Sequence, residues 1–187
     1  MDWNERYLEE HTPWDRGESS PAALGWANST APCEVLVPGC GRGHEVVDLA
    51  RRGFEVIALD IAPAALQALS EELEQQGLEA RLVTGDVLEW TPDSPVEAVY
   101  EQTCFCALDP EHWETYARQL GRWVAPGGTL VASFMQTHTE GGPPYHCDLE
   151  RMESLLSEWF EWPDKTARKI PHPRGDIFEL AVELKRR

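Results

Sequence analysis

The stretch Val35-Leu-Val-Pro-Gly-Cys-Gly-Arg-Gly-His-Glu45, followed by Phe54-Glu-Val-Ile-Ala-Leu-Asp60, decides the fold of this chain. An apolar run, a glycine-rich turn, a helix-compatible segment, a second apolar run and a terminal acid together indicate a βαβ unit. Such a unit binds an adenosyl ligand at the carboxyl ends of its strands. The sequence therefore predicts a parallel sheet with a ligand site at the glycine turn.

The spacing of the glycines indicates which adenosyl ligand is bound. Gly39 and Gly41 fit the dinucleotide fingerprint G-x-G-x-x-G, but its third position is His44, and the observed G-x-G-x-G pattern ends at Gly43. S-adenosyl-L-methionine has no pyrophosphate; its site needs bare backbone beside the methionine portion and an acid for the ribose hydroxyls. Asp60 supplies that acid, so the sequence predicts S-adenosyl-L-methionine as cofactor and not NAD.

Two acids in this region have alternative structural roles. Asp60 precedes a predicted helix that begins near Pro63, where it could serve as a cap. Asp86 and Val87 end the third predicted strand, where an acid and an aliphatic side chain can meet the adenine amino group and ring. A turn role for Asp86 is equally compatible with the composition.

The acceptor is expected after the fourth strand, within Tyr100-Glu-Gln-Thr-Cys-Phe-Cys106. Glu101 and Gln102 are polar residues at the end of an apolar strand, where the transferred group and its acceptor should meet. A cap on the following turn is the alternative role for Glu101. Cys104 and Cys106 are more typical of packing than of nucleophilic catalysis, because the pattern offers no histidine to activate either thiol.

Two histidines are candidate bases. His146 ends the segment Glu140-Gly-Gly-Pro-Pro-Tyr-His146, which cannot form regular structure and should lie at the carboxyl edge of the sheet. His44 stands at a helix start, where the helix dipole disfavours its cationic form. We expect His146 to be the base.

Size, charge and composition limit the classes of function. The 187 residues predict one domain, 1–187, with an N-terminal lid over 1–30 and a core over 31–187. A net charge of −17 disfavours nucleic acid as a partner, and no run approaches the ~18 apolar residues of a membrane span. The polar N-terminus is unlike a secretory signal, so we expect a cytoplasmic protein, monomeric or weakly homo-oligomeric. The five cysteines have no metal-ligand spacing, which predicts reduced thiols and no metal.

Strands and helices alternate along the rest of the chain. This order implies a mainly parallel sheet with helices on both faces. In the N-terminal segment, Trp3 and Tyr7 have helical i,i+4 spacing, and Pro21 can open a second short helix. That segment is either a cap on the core or a lid over the ligand, and we favour the lid. The predicted strands lie near 34–38, 55–60, 80–84, 96–100, 128–134 and 177–184, and the predicted helices over 44–52, 62–76, 110–123 and 148–158.

These motifs together resemble the class I S-adenosylmethionine-dependent methyltransferases, in the thiopurine S-methyltransferase-like branch that also holds plant thiocyanate and halide methyltransferases. The resemblance covers nearly the whole chain. It implies a Rossmann-like α/β fold with a mainly parallel seven-stranded sheet, helices on both faces and an N-terminal helical lid. The motifs that carry it are Thr12-Pro-Trp-Asp15, Val37-Pro-Gly-Cys-Gly-Arg-Gly-His44, Gly85-Asp86, Tyr100-Glu-Gln-Thr-Cys-Phe-Cys-Ala-Leu108, Pro126-Gly-Gly128 and Gly142-Pro-Pro-Tyr145.

The resemblance also implies residue roles. Trp3, Tyr7 and Trp14 fall at aromatic positions that close over the cofactor. With them, the predicted cofactor-binding residues are Gly39, Cys40, Gly41, Gly43, Asp60, Ile61, Asp86, Val87 and Glu101, and the predicted catalytic residues are Gln102, His146 and Glu101.

The implied activity is S-methylation of a small thiol or a related soft nucleophile, such as hydrogen sulfide, methanethiol or a selenium or tellurium species. Thiopurine enzymes carry an arginine at the position of Gln102, and plant halide enzymes a tyrosine. A neutral glutamine near an imidazole fits a small protonated thiol that loses its proton during transfer. The alternatives are halide or thiocyanate methylation, thiopurine methylation, and a non-catalytic adenosyl-binding module.

Overall fold

Three parallel strands organise the first of two compact units, Met1–Trp90 and Thr91–Arg187, in a computed structural model that describes residues 1–164 and 167–187. The strands pair in the order β3–β2–β1, and the register places Asp60 opposite Thr84. Their carboxyl ends therefore lie at one edge, as predicted from the βαβ pattern. Their bounds are β1 (Glu34–Pro38), β2 (Glu55–Asp60) and β3 (Arg81–Thr84).

The helices of this unit begin and end where the sequence places their caps. Ser20 accepts a hydrogen bond from the Ala22 N–H and Pro21 occupies the first turn of the second helix. Pro63 opens the fourth helix, and Gly77 ends it at a φ of 64°. The bounds are α1 (Trp3–Leu8), α2 (Pro21–Ser29), α3 (His44–Arg51) and α4 (Pro63–Gln76).

The second unit contains a mixed sheet. Its long central strand pairs in parallel with the strand before it and antiparallel with the last strand of the chain. Two further short strands pair antiparallel with that last strand. The bounds are β4 (Val96–Gln102), β5 (Val124–Gln136), β6 (Phe160–Glu161), β7 (Arg168–Pro171) and β8 (Phe178–Arg186).

Aromatic side chains form the core of this unit. Phe105 packs edge-to-face on Tyr116 at a ring distance of 4.7 Å, and Tyr116 contacts Trp123 at 6.0 Å. All three are almost completely buried, so each contributes large apolar area to stability. The helices are α5 (Cys104–Ala107), a 3₁₀ turn (Pro110–His112), α6 (Trp113–Trp123) and α7 (Leu149–Leu156). No described helix is long and apolar enough to cross a membrane.

The predicted sheet is confirmed as mainly parallel in the first unit and between β4 and β5, but three details differ. β6, β7 and α5 are absent from the prediction, because segments of two to four residues carry too little periodicity. β5 begins at Val124, before the predicted start of that strand near residue 128. The pairing with β4 is irregular at that point: it passes from Val96 opposite Val124 to Ala98 opposite Thr129.

Candidate cofactor and acceptor sites

The glycine turn after β1 is shaped so that two of its glycines cannot carry a side chain. Gly41 has a φ of 54°, and a Cβ there would lie 2.6 Å from the hydroxyl oxygen of Tyr7. Gly43 has a φ of 71°, and its Cβ would lie 2.5 Å from Cδ1 of Leu69. Positive φ values are costly for residues other than glycine. Both positions therefore require glycine because Tyr7 and Leu69 pack against their bare backbone, and contact of this turn with the cofactor stays a prediction.

Asp60 is buried at the end of β2, beside this turn. Its Oδ2 accepts a hydrogen bond from the Gly41 N–H at 2.8 Å, and its Oδ1 accepts one from the Ala62 N–H at 2.8 Å. Burial raises the carboxyl pKa, while these backbone donors oppose the rise. A carboxylate has about four acceptor positions, so a ribose hydroxyl can still be bound. Ala62, rather than Asp60, is the cap of α4.

The predicted aromatic residues form one cluster against the turn. The ring of Trp14 lies 5.3 Å from that of Trp3 and 5.8 Å from that of Tyr7, both in edge-on geometry. Trp14 Nε1 donates a hydrogen bond to the Tyr7 hydroxyl at 3.3 Å. Burial, followed by the charge of Asp60, raises the pKa of Tyr7, which keeps the hydroxyl neutral. Tyr7 and Trp14 thus lie together with Gly41 and Asp60, and their closure over a cofactor stays a prediction.

The remaining predicted cofactor residues of this unit lie at the same edge. The Gly85 N–H donates to the Asp60 carbonyl at 2.9 Å. Asp86 follows directly, and its Oδ1 accepts from the Leu88 N–H at 2.8 Å, which is the turn role considered above; its contact with adenine stays a prediction. Val87 is buried, whereas Ile61 is 50% exposed, so an apolar surface at Ile61 stays available to a ligand.

Cys40, within the glycine turn, is buried. Burial, followed by the charge of Asp60, raises the pKa of its thiol. Cys40 is therefore a neutral wall of the site, and its backbone N–H donates to the Leu59 carbonyl at 3.1 Å.

Asp15, which ends the Thr12-Pro-Trp-Asp15 motif and has no predicted role of its own, joins the N-terminal segment to α3. Its Oδ1 lies 2.8 Å from Nε2 of His44, and its Oδ2 lies 3.2 Å from Nε of Arg42. The expectation that the helix dipole disfavours the His44 cation is wrong, because the hydrogen bond to Asp15 raises the His44 pKa. Asp15 and His44 are 29 residues apart, so no local sequence pattern signals their contact.

In the second unit, Glu101 is fully buried at the end of β4. Its Oε1 accepts hydrogen bonds from the N–H groups of Cys104 at 3.1 Å and Phe105 at 2.9 Å, so Glu101 caps α5. Its Oε2 has no hydrogen-bond partner among the described residues. Burial, with a smaller contribution from the charge of Glu179, raises the pKa of Glu101 to about 8. The side chain can therefore exchange a proton near neutral pH.

Gln102 is held on both sides of its amide. The Tyr100 hydroxyl donates to Oε1 at 2.7 Å, and Nε2 donates to Glu179, at 2.9 Å to Oε2 and 3.2 Å to Oε1. Glu179 is buried and was not among the predicted residues. Its signal in the sequence is an acid inside the apolar strand Phe178-Glu-Leu-Ala-Val182.

His146 lies in the loop after β5 with its Nδ1 engaged. The N–H groups of Thr137 and His138 approach Nδ1 at 3.2 Å and 3.3 Å, and burial, together with the neighbouring His138, lowers the His146 pKa. The neutral ring therefore carries its proton on Nε2 and offers a donor. The base role of His146 stays a prediction, and it requires this ring to turn.

The thiols near Glu101 are held in the protonated form. Burial raises the pKa values of Cys106 and Cys147, and the charge of Glu101 adds to both. This favours the packing role for Cys106 over a nucleophilic one. Among residues 1–164 and 167–187, no group of three or more His, Cys, Asp or Glu residues is placed to hold a metal ion.

The chain is similar to known proteins over most of its length. The family model "Thiopurine S-methyltransferase (TPMT)" matches residues 1–177. Thiocyanate methyltransferase 1 of Arabidopsis thaliana is 33% identical over 159 residues, covering 82% of this chain and 70% of the relative. A thiopurine S-methyltransferase of Legionella pneumophila is 23% identical over 201 residues, covering 96% and 91%.

Solved structures of methyltransferases share the fold. The 1,6-didemethyltoxoflavin-N1-methyltransferase of Burkholderia thailandensis, with bound S-adenosylhomocysteine, superposes with a TM-score of 0.81 at 20% identity, covering 99% of this chain and 85% of that one. The N-methyltransferase NodS of Bradyrhizobium japonicum, also with S-adenosylhomocysteine, gives 0.79 at 19% identity, covering 97% and 95%. The Rossmann-like methyltransferase fold predicted from the sequence is thereby confirmed.

Proposed function

Because this chain belongs to the thiopurine S-methyltransferase family, we propose that it methylates the sulfur of a small, neutral thiol. It is an S-adenosylmethionine-dependent methyltransferase of small molecules. Hydrogen sulfide, methanethiol and similar thiols are the proposed acceptors. We further propose that it acts in the cytoplasm as a monomer or weak homo-oligomer, without nucleic acid or a membrane as partner.

The first unit supplies the residues that would hold the cofactor. Asp60 keeps acceptor capacity for the ribose hydroxyls, beside a glycine turn whose bare backbone lets Tyr7 and Leu69 pack closely on Gly41 and Gly43. The aromatic cluster of Trp3, Tyr7 and Trp14 suits a sulfonium cation, at about 0.5–2 kcal/mol for such a contact. When bound, S-adenosylmethionine supplies a methyl group that its sulfonium has already activated.

The thiol assignment rests on the two residues that hydrogen-bond to the Gln102 amide. Its amide is held between the Tyr100 hydroxyl and the buried Glu179 carboxylate. A buried carboxylate beside the acceptor disfavours a second negative charge, because like charges repel strongly where water is excluded. This favours a neutral thiol over iodide, thiocyanate or an ionised thiopurine.

A neutral thiol must lose its proton, and Glu101 is the proposed acceptor. The proton would pass from sulfur to Oε2, the carboxyl oxygen that lacks a partner among the described residues. The thiolate would then be the nucleophile that takes the methyl group, with S-adenosylhomocysteine as the leaving group. A pKa of about 8 lies near working pH, where a general base is most effective. Glu101 therefore suits this step better than His146, whose Nδ1 already accepts two backbone N–H groups.

A second candidate function is methylation of thiocyanate. The observation that favours it is the 33% identity to a relative named thiocyanate methyltransferase. It requires an anion to be bound near Glu179, so the charge at that residue separates the two candidates.

The thiol assignment can be tested with Glu179→Gln and a matched control, Tyr100→Phe. Each variant removes one partner of the Gln102 amide, but only Glu179→Gln removes a charge. We expect Glu179→Gln to raise kcat/KM for thiocyanate relative to methanethiol, and Tyr100→Phe to leave that ratio unchanged. Equal ratios in wild type and both variants would contradict the proposal.

The base role is tested by the pH profile of Glu101→Gln. In the wild type, kcat/KM should rise with pH through about 8, at the same pH for two thiols of different acidity. Glu101→Gln should lose this inflection and a large part of its rate below it. An inflection that follows the pKa of each thiol and survives in Glu101→Gln would show that the acceptor ionises without this residue.

A further inference from the structure

We propose that Asp15 is a positioning residue that ties the N-terminal aromatic segment, residues 3–14, to the glycine turn, and that the tie loosens when His44 loses its proton. Both carboxylate oxygens of Asp15 are engaged across the chain: Oδ1 with His44 Nε2 at 2.8 Å and Oδ2 with Arg42 Nε at 3.2 Å. Only 18% of the Asp15 side chain is exposed, so these contacts are partly shielded from water.

The contacts of Asp15 and those of Tyr7 connect the aromatic segment to the same glycine turn. Trp14 precedes Asp15 and donates its Nε1–H to the Tyr7 hydroxyl at 3.3 Å. That hydroxyl occupies the space that a side chain at residue 41 would fill, since a Cβ on Gly41 would lie 2.6 Å from it. Arg42 directly follows Gly41, and His44 lies three residues after it. Asp15 thus holds the C-terminal end of the aromatic segment to the same turn that Tyr7 covers.

A second contact holds the other end of the segment. Asn4 Oδ1 accepts a hydrogen bond from the Ala64 N–H in the first turn of α4 at 2.8 Å. This bond has no titratable member. Loss of the Asp15 tie should therefore loosen the segment from its Trp14 end without detaching α1.

The charge of His44 governs the strength of the tie. The hydrogen bond to Asp15, followed by the charge of that residue and of Glu45, raises the His44 pKa above 6.5, against burial and Arg42. Stabilisation by the cation is complete below pH 6.5 and is lost as pH rises through the raised value. Other charged side chains line the groove beside His44: Glu18 from the N-terminal segment, Asp48 and Arg51 from α3, and Glu72 from α4.

The consequence for the enzyme rests on the proposed lid role of Trp3, Tyr7 and Trp14. If they close over the cofactor, weakening the tie raises KM for S-adenosylmethionine and leaves kcat nearly unchanged, because the contacts of Asp15 are with Gly17, Arg42 and His44 and not with the proposed acceptor residues. Hydrogen exchange on the ligand-free protein measures the tie itself. Cofactor binding is measured separately, so a failure of the lid role is distinguishable from a failure of the tie.

The experiment compares Asp15→Asn and Asp15→Ala with Glu18→Gln, which removes one negative charge from the groove beside His44 but leaves both contacts of Asp15 in place. His44→Gln is a fourth variant: its amide can still donate to Asp15, but it cannot titrate. Protection factors of backbone amides 3–14 are measured from pH 5.5 to 8.5. S-adenosylhomocysteine affinity is measured by calorimetry at the same pH values.

We expect Asp15→Asn to lower protection roughly threefold to tenfold at pH 5.5 and Asp15→Ala to lower it further. Wild type and Glu18→Gln should lose protection as pH rises, whereas His44→Gln should show no such step. Wild-type protection in Asp15→Ala, or an unchanged pH step in His44→Gln, would overturn the proposal. Lost protection with unchanged S-adenosylhomocysteine affinity would uphold the tie and refute the lid role.

Discussion

Replacing Gly41 with alanine tests whether Tyr7 covers the glycine turn. The change has two separable costs. The φ of 54° places an alanine in the left-handed region, at about 1–2 kcal/mol. The new Cβ would also lie 2.6 Å from the Tyr7 hydroxyl oxygen, and relieving such an overlap costs about 1–3 kcal/mol more. We expect Gly41→Ala to lower the free energy of unfolding by about 2–5 kcal/mol in total.

Two further variants separate these costs. Gly77→Ala is the matched control, because Gly77 has a φ of 64° and nothing within 4 Å of the added Cβ; it should cost only about 1–2 kcal/mol. Tyr7→Phe removes the overlapping atom, leaving Cζ at 3.6 Å, an ordinary contact distance. In that background Gly41→Ala should cost no more than Gly77→Ala.

Urea unfolding is measured for the wild type, Gly41→Ala, Gly77→Ala, Tyr7→Phe and the Tyr7→Phe/Gly41→Ala double variant. The unfolding free energies give the coupling energy between residues 7 and 41 directly. We expect about 1–3 kcal/mol. Two results would contradict this prediction: Gly41→Ala lowers the free energy of unfolding by the same amount as Gly77→Ala, or Tyr7→Phe leaves the effect of Gly41→Ala unchanged. Either result would mean that Tyr7 does not lie over the turn.

Three more predictions concern single groups. Asp60→Ala should weaken S-adenosylmethionine binding by about 1–3 kcal/mol in calorimetry; unchanged affinity in a folded variant would confine Asp60 to holding the turn. Cys104→Ser/Cys106→Ser should retain turnover, because a methyl group that is already activated needs no enzyme nucleophile, and a methylated cysteine that proceeds to product would contradict this. The pKa of Glu101, raised from 4.5 to about 8, means that its stabilising contribution is complete below pH 4.5 and lost as pH rises through 8. Unfolding free energies should therefore fall more steeply with pH in wild type than in Glu101→Gln, and parallel curves would show that the group is not buried in its protonated form.

Local patterns predict the strands and turns of the first unit well. The glycine turn and the acid at the end of β2 are adjacent to the strands that position them, so spacing alone indicates where they lie. The helix starts at Pro21 and Pro63 are equally local, and both are confirmed.

Contacts between distant residues are what the sequence does not reveal. Glu179 meets Gln102 only because β8 pairs beside β5, and the two residues are 77 positions apart. Asp15 and His44 are also distant in sequence. Their hydrogen bond raises the His44 pKa, whereas the helix dipole alone would lower it. The engaged Nδ1 of His146 depends on the path of an irregular loop, for which no periodicity exists.

The central claim is that a small neutral thiol is the methyl acceptor. Its most direct test is the specificity constant of the purified wild-type protein, with S-adenosylmethionine, for hydrogen sulfide, methanethiol, iodide, thiocyanate and a thiopurine. We predict that hydrogen sulfide or methanethiol gives the largest kcat/KM. A larger value for iodide, thiocyanate or the thiopurine would contradict the assignment, and cofactor binding without turnover of any acceptor would indicate a non-catalytic adenosyl-binding module.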